Sequence, residues 1–191
     1  MNTPEFMAAA LALLLAPGPT NTLLAVAGAQ RGWRGALPLI PAEVAGYTGA
    51  ILAVATVGQS LLHLWPGAAT VLTGLAALWV MVLAFRLWRN RGPEGPAAAI
   101  GARTVLVTTL LNPKAAVVAL ALLPGLSQPG FWPRLTLFLG LVAAAALLWA
   151  GMGALARGDG PRPGRLRLLR RIASVWLAGV SVLLMLSLSP T

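Results

Sequence analysis

Cysteine is absent from all 191 residues. That excludes a disulfide framework, a thiolate metal site and thiol redox chemistry. Histidine occurs once, at His63. A histidine-rich metal centre therefore has no ligands, and a serine–histidine hydrolase would depend on one residue that falls in a predicted loop. No G-x-S-x-G motif is present. The sequence points to no enzyme and to no cofactor. Charge is scarce as well, at 9% of residues, against about 25% in a soluble domain.

Apolar residues fill the gap. They make up 58% of the chain, and the mean hydropathy is +0.82. A soluble unit of 19.7 kDa could not keep so much apolar surface out of water. The chain is also far too apolar for disorder. The class that remains is an all-α integral membrane protein.

Six apolar stretches run roughly over Phe6–Gly28, Ala36–Leu62, Ala68–Leu87, Thr104–Leu123, Leu135–Ala156 and Ile172–Leu188. About 20 helical residues cross about 30 Å of hydrocarbon, and all but the last reach that length. The first stretch is expected to be a retained helix. It has Glu5 where a signal peptide would carry positive charge, and no small-residue cleavage site follows Pro19.

The net charge of +10 is explained by where the arginines fall. Arg31 and Arg34 follow the first span. Arg86, Arg89, Arg91 and Arg103 flank the third connection. Arg157, Arg162, Arg165, Arg167, Arg170 and Arg171 lie between the fifth and sixth spans. The opposite side has only Arg134. The positive-inside rule places the arginine-rich loops in the cytoplasm and both termini outside. Membrane lipid, not nucleic acid, is the expected partner of this charge. The stretch 157–171 reads either as an interfacial segment or as a simple topology anchor. Trp33, Trp65, Trp88 and Trp132 fall near span ends, where an aromatic belt belongs.

Polar exceptions inside the spans carry the functional reading. Pro17, Gly18 and Pro19 interrupt the first span about 17 Å from its start, near the midplane. Asn112, Pro113 and Lys114 interrupt the fourth span at a comparable depth, about 12 Å in. Irregular backbone at such depth requires protein or a water-filled cavity around it. Lys114 is the only lysine of the chain. A lysine at the centre of a span costs about 2.5–3.5 kcal/mol on insertion scales, so a partner or a cavity must compensate.

Glu43 is the only acid within any span and the natural partner of Lys114. Tyr47, the only tyrosine, shares its helix face. Ala42, Gly46 and Ala50 form a small-residue stripe beside them, and Ala8, Ala12 and Ala16 form another in the first span.

The breaks occur in the first helix of each group of three, 96 residues apart. Three is odd, so two such groups lie in opposite orientations. The expected architecture is six transmembrane helices as two inverted three-helix repeats, with helices 1 and 4 broken. The repeats cover about 1–90 and 101–191, with a linker over about 91–100. Inverted repeats with broken helices at the midplane are a transporter arrangement.

Pro-Gly-Pro in the first span, Gly32 in the loop after it and Leu-Asn-Pro-Lys-Ala at 111–115 resemble the lysine exporter / homoserine–threonine resistance family of bacterial amino-acid exporters. The resemblance covers nearly the whole chain. It implies export of small amino acids or analogues across the bacterial inner membrane by proton antiport, and a homodimer. The chain departs from the family at Tyr47, where many members carry an acid; here the acid is Glu43.

In this reading the substrate site comprises Pro17, Gly18, Pro19, Asn21, Glu43, Tyr47, Asn112, Pro113 and Lys114. Half-helix N-termini and Lys114 would receive a carboxylate. Freed carbonyls and Glu43 would receive an ammonium. Asn21 and Asn112 either bind substrate or cap the breaks. Glu43 is the only intramembrane carboxylate that could carry a proton. The rival readings are a cation or metal exporter of similar architecture and a non-transporting membrane subunit.

Overall fold

A computed structural model describes residues 2–58, 67–89, 100–157 and 163–186, all in helices and short connections. His63, Trp65, Arg91 and Arg162 lie outside the described residues, as do nearly all of the linker and the ends of the second and sixth stretches.

Local chemistry sets the helix boundaries. Helix α1 (Thr3–Leu15) opens with a capping box. Asn2 Oδ1 accepts from the Glu5 amide at 2.9 Å, and Glu5 Oε2 accepts from the Asn2 amide at 3.0 Å. The helix stops at Ala16, because the residue before a proline is driven out of helical geometry. Helix α2 (Pro19–Ala36) restarts with a proline in its first turn, where the missing N–H is no loss. At Gly32 the backbone turns to φ 75° and ψ 167°, a conformation essentially confined to glycine. A 3-10 turn over Leu37–Leu39 then leads into α3 (Ile40–Ala53), which ends in a π turn, Val54–Gly58.

Helix α4 (Ala68–Arg89) follows. Helices α5 (Ala102–Leu110) and α6 (Pro113–Val117), the latter extended by a π turn to Leu122, form one apolar run bent by 47°. The long helices α7 (Phe131–Arg157) and α8 (Pro163–Leu186) complete the described structure. Three helical segments are long and apolar enough to cross a membrane: Pro19–Thr56, Phe131–Arg157 and Arg167–Leu186. The bent pair α5–α6 makes a fourth.

Two expectations need correction. The arginine-rich stretch from Pro163 onward is not a separate interfacial segment but the opening turns of α8. Arginine and leucine both favour helix, and nothing after Pro163 stops one. The stripe Ala8, Ala12, Ala16 does not pack inside the chain, since all three residues are exposed. Helix α1 buries Phe6, Ala10 and Leu14 instead.

Side-chain contacts fix the helix directions. A Cβ on Gly28 would collide with the Ala150 carbonyl, and a Cβ on Gly153 with the Ala25 carbonyl. Helices α2 and α7 therefore touch backbone to backbone. Arg157 Nη1 reaches the Gln30 carbonyl at 3.2 Å, so the two C-termini lie together and the pair is parallel. Arg31 Nη2 donates to the Ile100 carbonyl at 2.8 Å, and Thr20 meets Thr109, which makes α2 and α5 antiparallel. Gly46 packs on Leu106 and Thr109, and Gly49 on Leu110, so α3 runs parallel to α5. Ser174 Oγ donates to the Ala84 carbonyl at 2.6 Å and Ser181 Oγ to the Ala77 carbonyl at 2.8 Å, which sets α4 and α8 antiparallel.

These directions gather Arg31, Arg34, Arg86, Arg89, Arg103, Arg157, Arg170 and Arg171 at one end of the bundle. Arg171 stacks over Trp88 there, 5.6 Å from the ring centre. Arg134 begins α7 at the other end.

The interior divides into two apolar cores. One, towards the basic end, contains Leu23, Leu24, Leu39, Leu83, Val105, Ala150 and Leu177. The other contains Phe6, Leu14, Tyr47, Ile51, Val118, Phe131 and Phe138. Between them, along three separate chain segments, fall the break at 16–18, the break at 111–112 and Glu43. The polar residues of the spans thus form the seam between two apolar halves.

Candidate functional site at the paired helix breaks

Each break frees backbone carbonyls that no longer have helical donors. Asn21 answers the first. Its Nδ2 donates to the Leu14 carbonyl at 2.7 Å and to the Ala16 carbonyl at 2.9 Å. The second lone pair of the Ala16 carbonyl receives the Lys114 ammonium at 2.5 Å. A cation at the C-terminal end of α1 also meets the negative end of the helix dipole. Lys114 thus crosses from one broken helix to the other, 98 residues away.

Gly18 leaves room beside that crossing. A Cβ there would come within 3.1 Å of Lys114 Nζ and 3.2 Å of its Cε. Gly18 is extended, with φ −162° and ψ 175°, so its role is close approach and not unusual backbone.

Asn112 organises the second break. Its Oδ1 caps α6 by accepting from the Lys114 amide at 3.1 Å. Its Nδ2 donates to Thr20 Oγ1 and to Tyr47 Oη, both at 3.4 Å. Thr20 Oγ1 lies 3.3 Å from Thr109 Oγ1, which itself donates to the Val105 carbonyl at 2.9 Å. Each hydroxyl has one proton, so the direction is fixed: Asn112 to Thr20, Thr20 to Thr109, Thr109 to backbone. This chain links α2, α5 and the second break.

Tyr47 and Glu43 supply the α3 wall. Tyr47 is 1% exposed and meets Phe138 edge to face, with ring centres 5.4 Å apart. Glu43 is 2% exposed. Its Oε2 has no hydrogen-bond partner. The expected Glu43–Lys114 ion pair does not close among the described residues; Lys114 is held instead by the Ala16 carbonyl. The reason is geometric. The carbonyl freed at Ala16 takes the ammonium, and the Glu43 carboxylate on α3 stays beyond ion-pair distance.

Asn21, Tyr47, Asn112, Gly18 and Lys114 therefore converge on the two breaks, and Glu43 lines the same seam. Pro17 and Pro113 are exposed. Pro19 is buried at the start of α2. Thr20 and Thr109 were not singled out from the sequence, yet both are buried within the network. Their signal was present: Thr20 adjoins Asn21, and Thr109 precedes Asn112 by three residues in an apolar run. Among the described residues no group of three or more His, Cys, Asp or Glu side chains could hold a metal ion.

No protein-family model matches this chain, and no curated protein or solved structure is significantly similar to it.

Proposed function

We propose that the chain is a membrane-embedded secondary transporter that exports small amino acids or their analogues by proton antiport, with its substrate site at the paired breaks. The observation that carries this reading is the bridge from Lys114 to Ala16, which joins two midspan breaks beside a buried carboxylate with an unpartnered oxygen. Two discontinuous helices meeting at mid-depth, with opposite charges at hand, suit a zwitterion.

Six spans as two inverted repeats account for the helix contacts. An inverted repeat equates span 1 with 4, 2 with 5 and 3 with 6. The pair α2–α7 (spans 1 and 5) then corresponds to α5–α3 (spans 4 and 2). Both pairs are parallel, and both close through glycine, at Gly28 and Gly153 in one and Gly46 in the other. The antiparallel pair α4–α8 (spans 3 and 6) corresponds to itself. The segment Pro19–Thr56 has 38 residues, or about 57 Å of rise, nearly twice the hydrocarbon thickness. Its turn at Gly32 supports reading it as parts of two spans. The basic end is assigned to the cytoplasm of a bacterial inner membrane and the termini to the outside.

In this mechanism the substrate carboxylate displaces the Ala16 carbonyl from Lys114, and the ammonium takes up Glu43 Oε2. A buried carboxylate needs a cation or a proton, so Glu43 exchanges one for the other. Rocking of one repeat against the other then alternates access. Purified protein in proteoliposomes tests the proton step. Glu43→Gln is expected to abolish pH-gradient-driven efflux while leaving substrate exchange in place. Unchanged proton coupling in that variant would remove Glu43 as the carrier.

A further inference from the structure

A cleft of about 710 Å³ opens on the basic half of the bundle, away from the paired breaks. Its walls are α4 on one side and the start of α5 on the other, with Leu23 of α2 among the lining residues. Leu83, Leu87 and Ile100 are buried in the wall, and Arg86 and Arg89 line the same cleft.

Deeper along the same two helices, Trp79 Nε1 donates to Thr108 Oγ1 at 2.9 Å and pins α4 to α5. The α4 residues that line the cleft run from Met81 to Arg89, about 12 Å of helical rise against about 15 Å for half of the hydrocarbon thickness. The cleft therefore covers most of one leaflet at the basic end. Its inner wall suits an acyl chain, and the arginines stand at its mouth.

Those arginines have aromatic neighbours but no carboxylate among the described residues. Arg86 lies over Trp79 at 6.0 Å and Arg89 over Phe85 at 5.7 Å from the ring centres. The two described acids are elsewhere: Glu5 closes the capping box of α1, and Glu43 lines the seam at the paired breaks. Two cations beside an apolar slot nearly one leaflet long call for an anionic head on an acyl tail.

We propose that the α4–α5 cleft is a binding site for an anionic phospholipid, with its phosphate on Arg86 and Arg89 and an acyl chain against Leu83, Leu87 and Ile100. The site rests on the membrane-embedded reading and is independent of transport.

The test uses the full chain in detergent, with lipid retention read by native mass spectrometry and thermal protection. Phosphatidylglycerol is expected to be retained about thirtyfold more tightly than phosphatidylcholine, as two arginines near an anionic head imply. R86Q/R89Q is expected to erase that preference, and R34Q, at the same end but outside the cleft, to keep it. If the double variant does not fold, T104W, which fills the cleft and leaves both arginines, carries the same expected loss. Equal retention of the two lipids would overturn the site. So would an equal loss in R34Q, or protection by inorganic phosphate alone. Release of the chain from membranes by alkaline carbonate would overturn the membrane reading as well, whereas the other results fail the site only.

Discussion

Among the described residues, Gly28, Gly153 and Gly32 show two different needs for glycine. At Gly28 and Gly153 a side chain would enter a neighbouring backbone carbonyl, which cannot move aside as a flexible side chain can. Gly28→Val is therefore expected to cost about 1–3 kcal/mol by overpacking and to lower the melting temperature in detergent. An unchanged melting temperature would mean that α2 and α7 do not meet there. Gly32 differs, since its need is conformational: the positive φ marks a kink inside α2, four residues before its end. Asn112 shows what the sequence could and could not reveal. Its place before Pro113 made a cap readable, because a cap is local chemistry. Its bonds to Thr20 and Tyr47 depend on two other helices and were not readable. The missing Glu43–Lys114 contact has the same cause. Charge complementarity suggested a pair, but the nearest acceptor proved to be a backbone carbonyl freed by the other break.

The two midspan breaks were the most legible elements, because proline acts within a few residues of itself. The interruptions at 16–18 and 111–112 stand where the prolines require. The start of α8 was misplaced because arginines suggest water, whereas a helix can carry them along its opening turns. Arg170 shows the consequence: it is 5% exposed, and its Nε and Nη2 lack partners among the described residues. The pairing of α4 with α8 was not readable at all, since serine in an apolar run names no partner. Ser174→Ala and Ser181→Ala should each destabilise this pair by about 0.6 kcal/mol, the average for interhelical bonds in membranes. The bonds are seven residues apart, so the effects should add. A double variant with the stability of wild type would show that these bonds do not hold α4 to α8.

At the scale of the molecule, the charge map proved the most informative part of the sequence. Arginines far apart in the chain gather at one end because each connection on that side carries them. The convergence of the two breaks was suggested by their matching positions, but their contact through Lys114 and Gly18 required the folded chain. The seam between two apolar cores is a product of packing and has no signature in any single helix. The central claim is that this seam carries amino acids across the membrane. Counterflow in proteoliposomes tests it most directly, because it assumes no driving ion. Vesicles loaded with unlabelled amino acids are offered each labelled one, with wild type beside Lys114→Ala. The account predicts entry of a few small amino acids, lost in the variant. No entry of any amino acid into vesicles holding folded wild-type protein would contradict it.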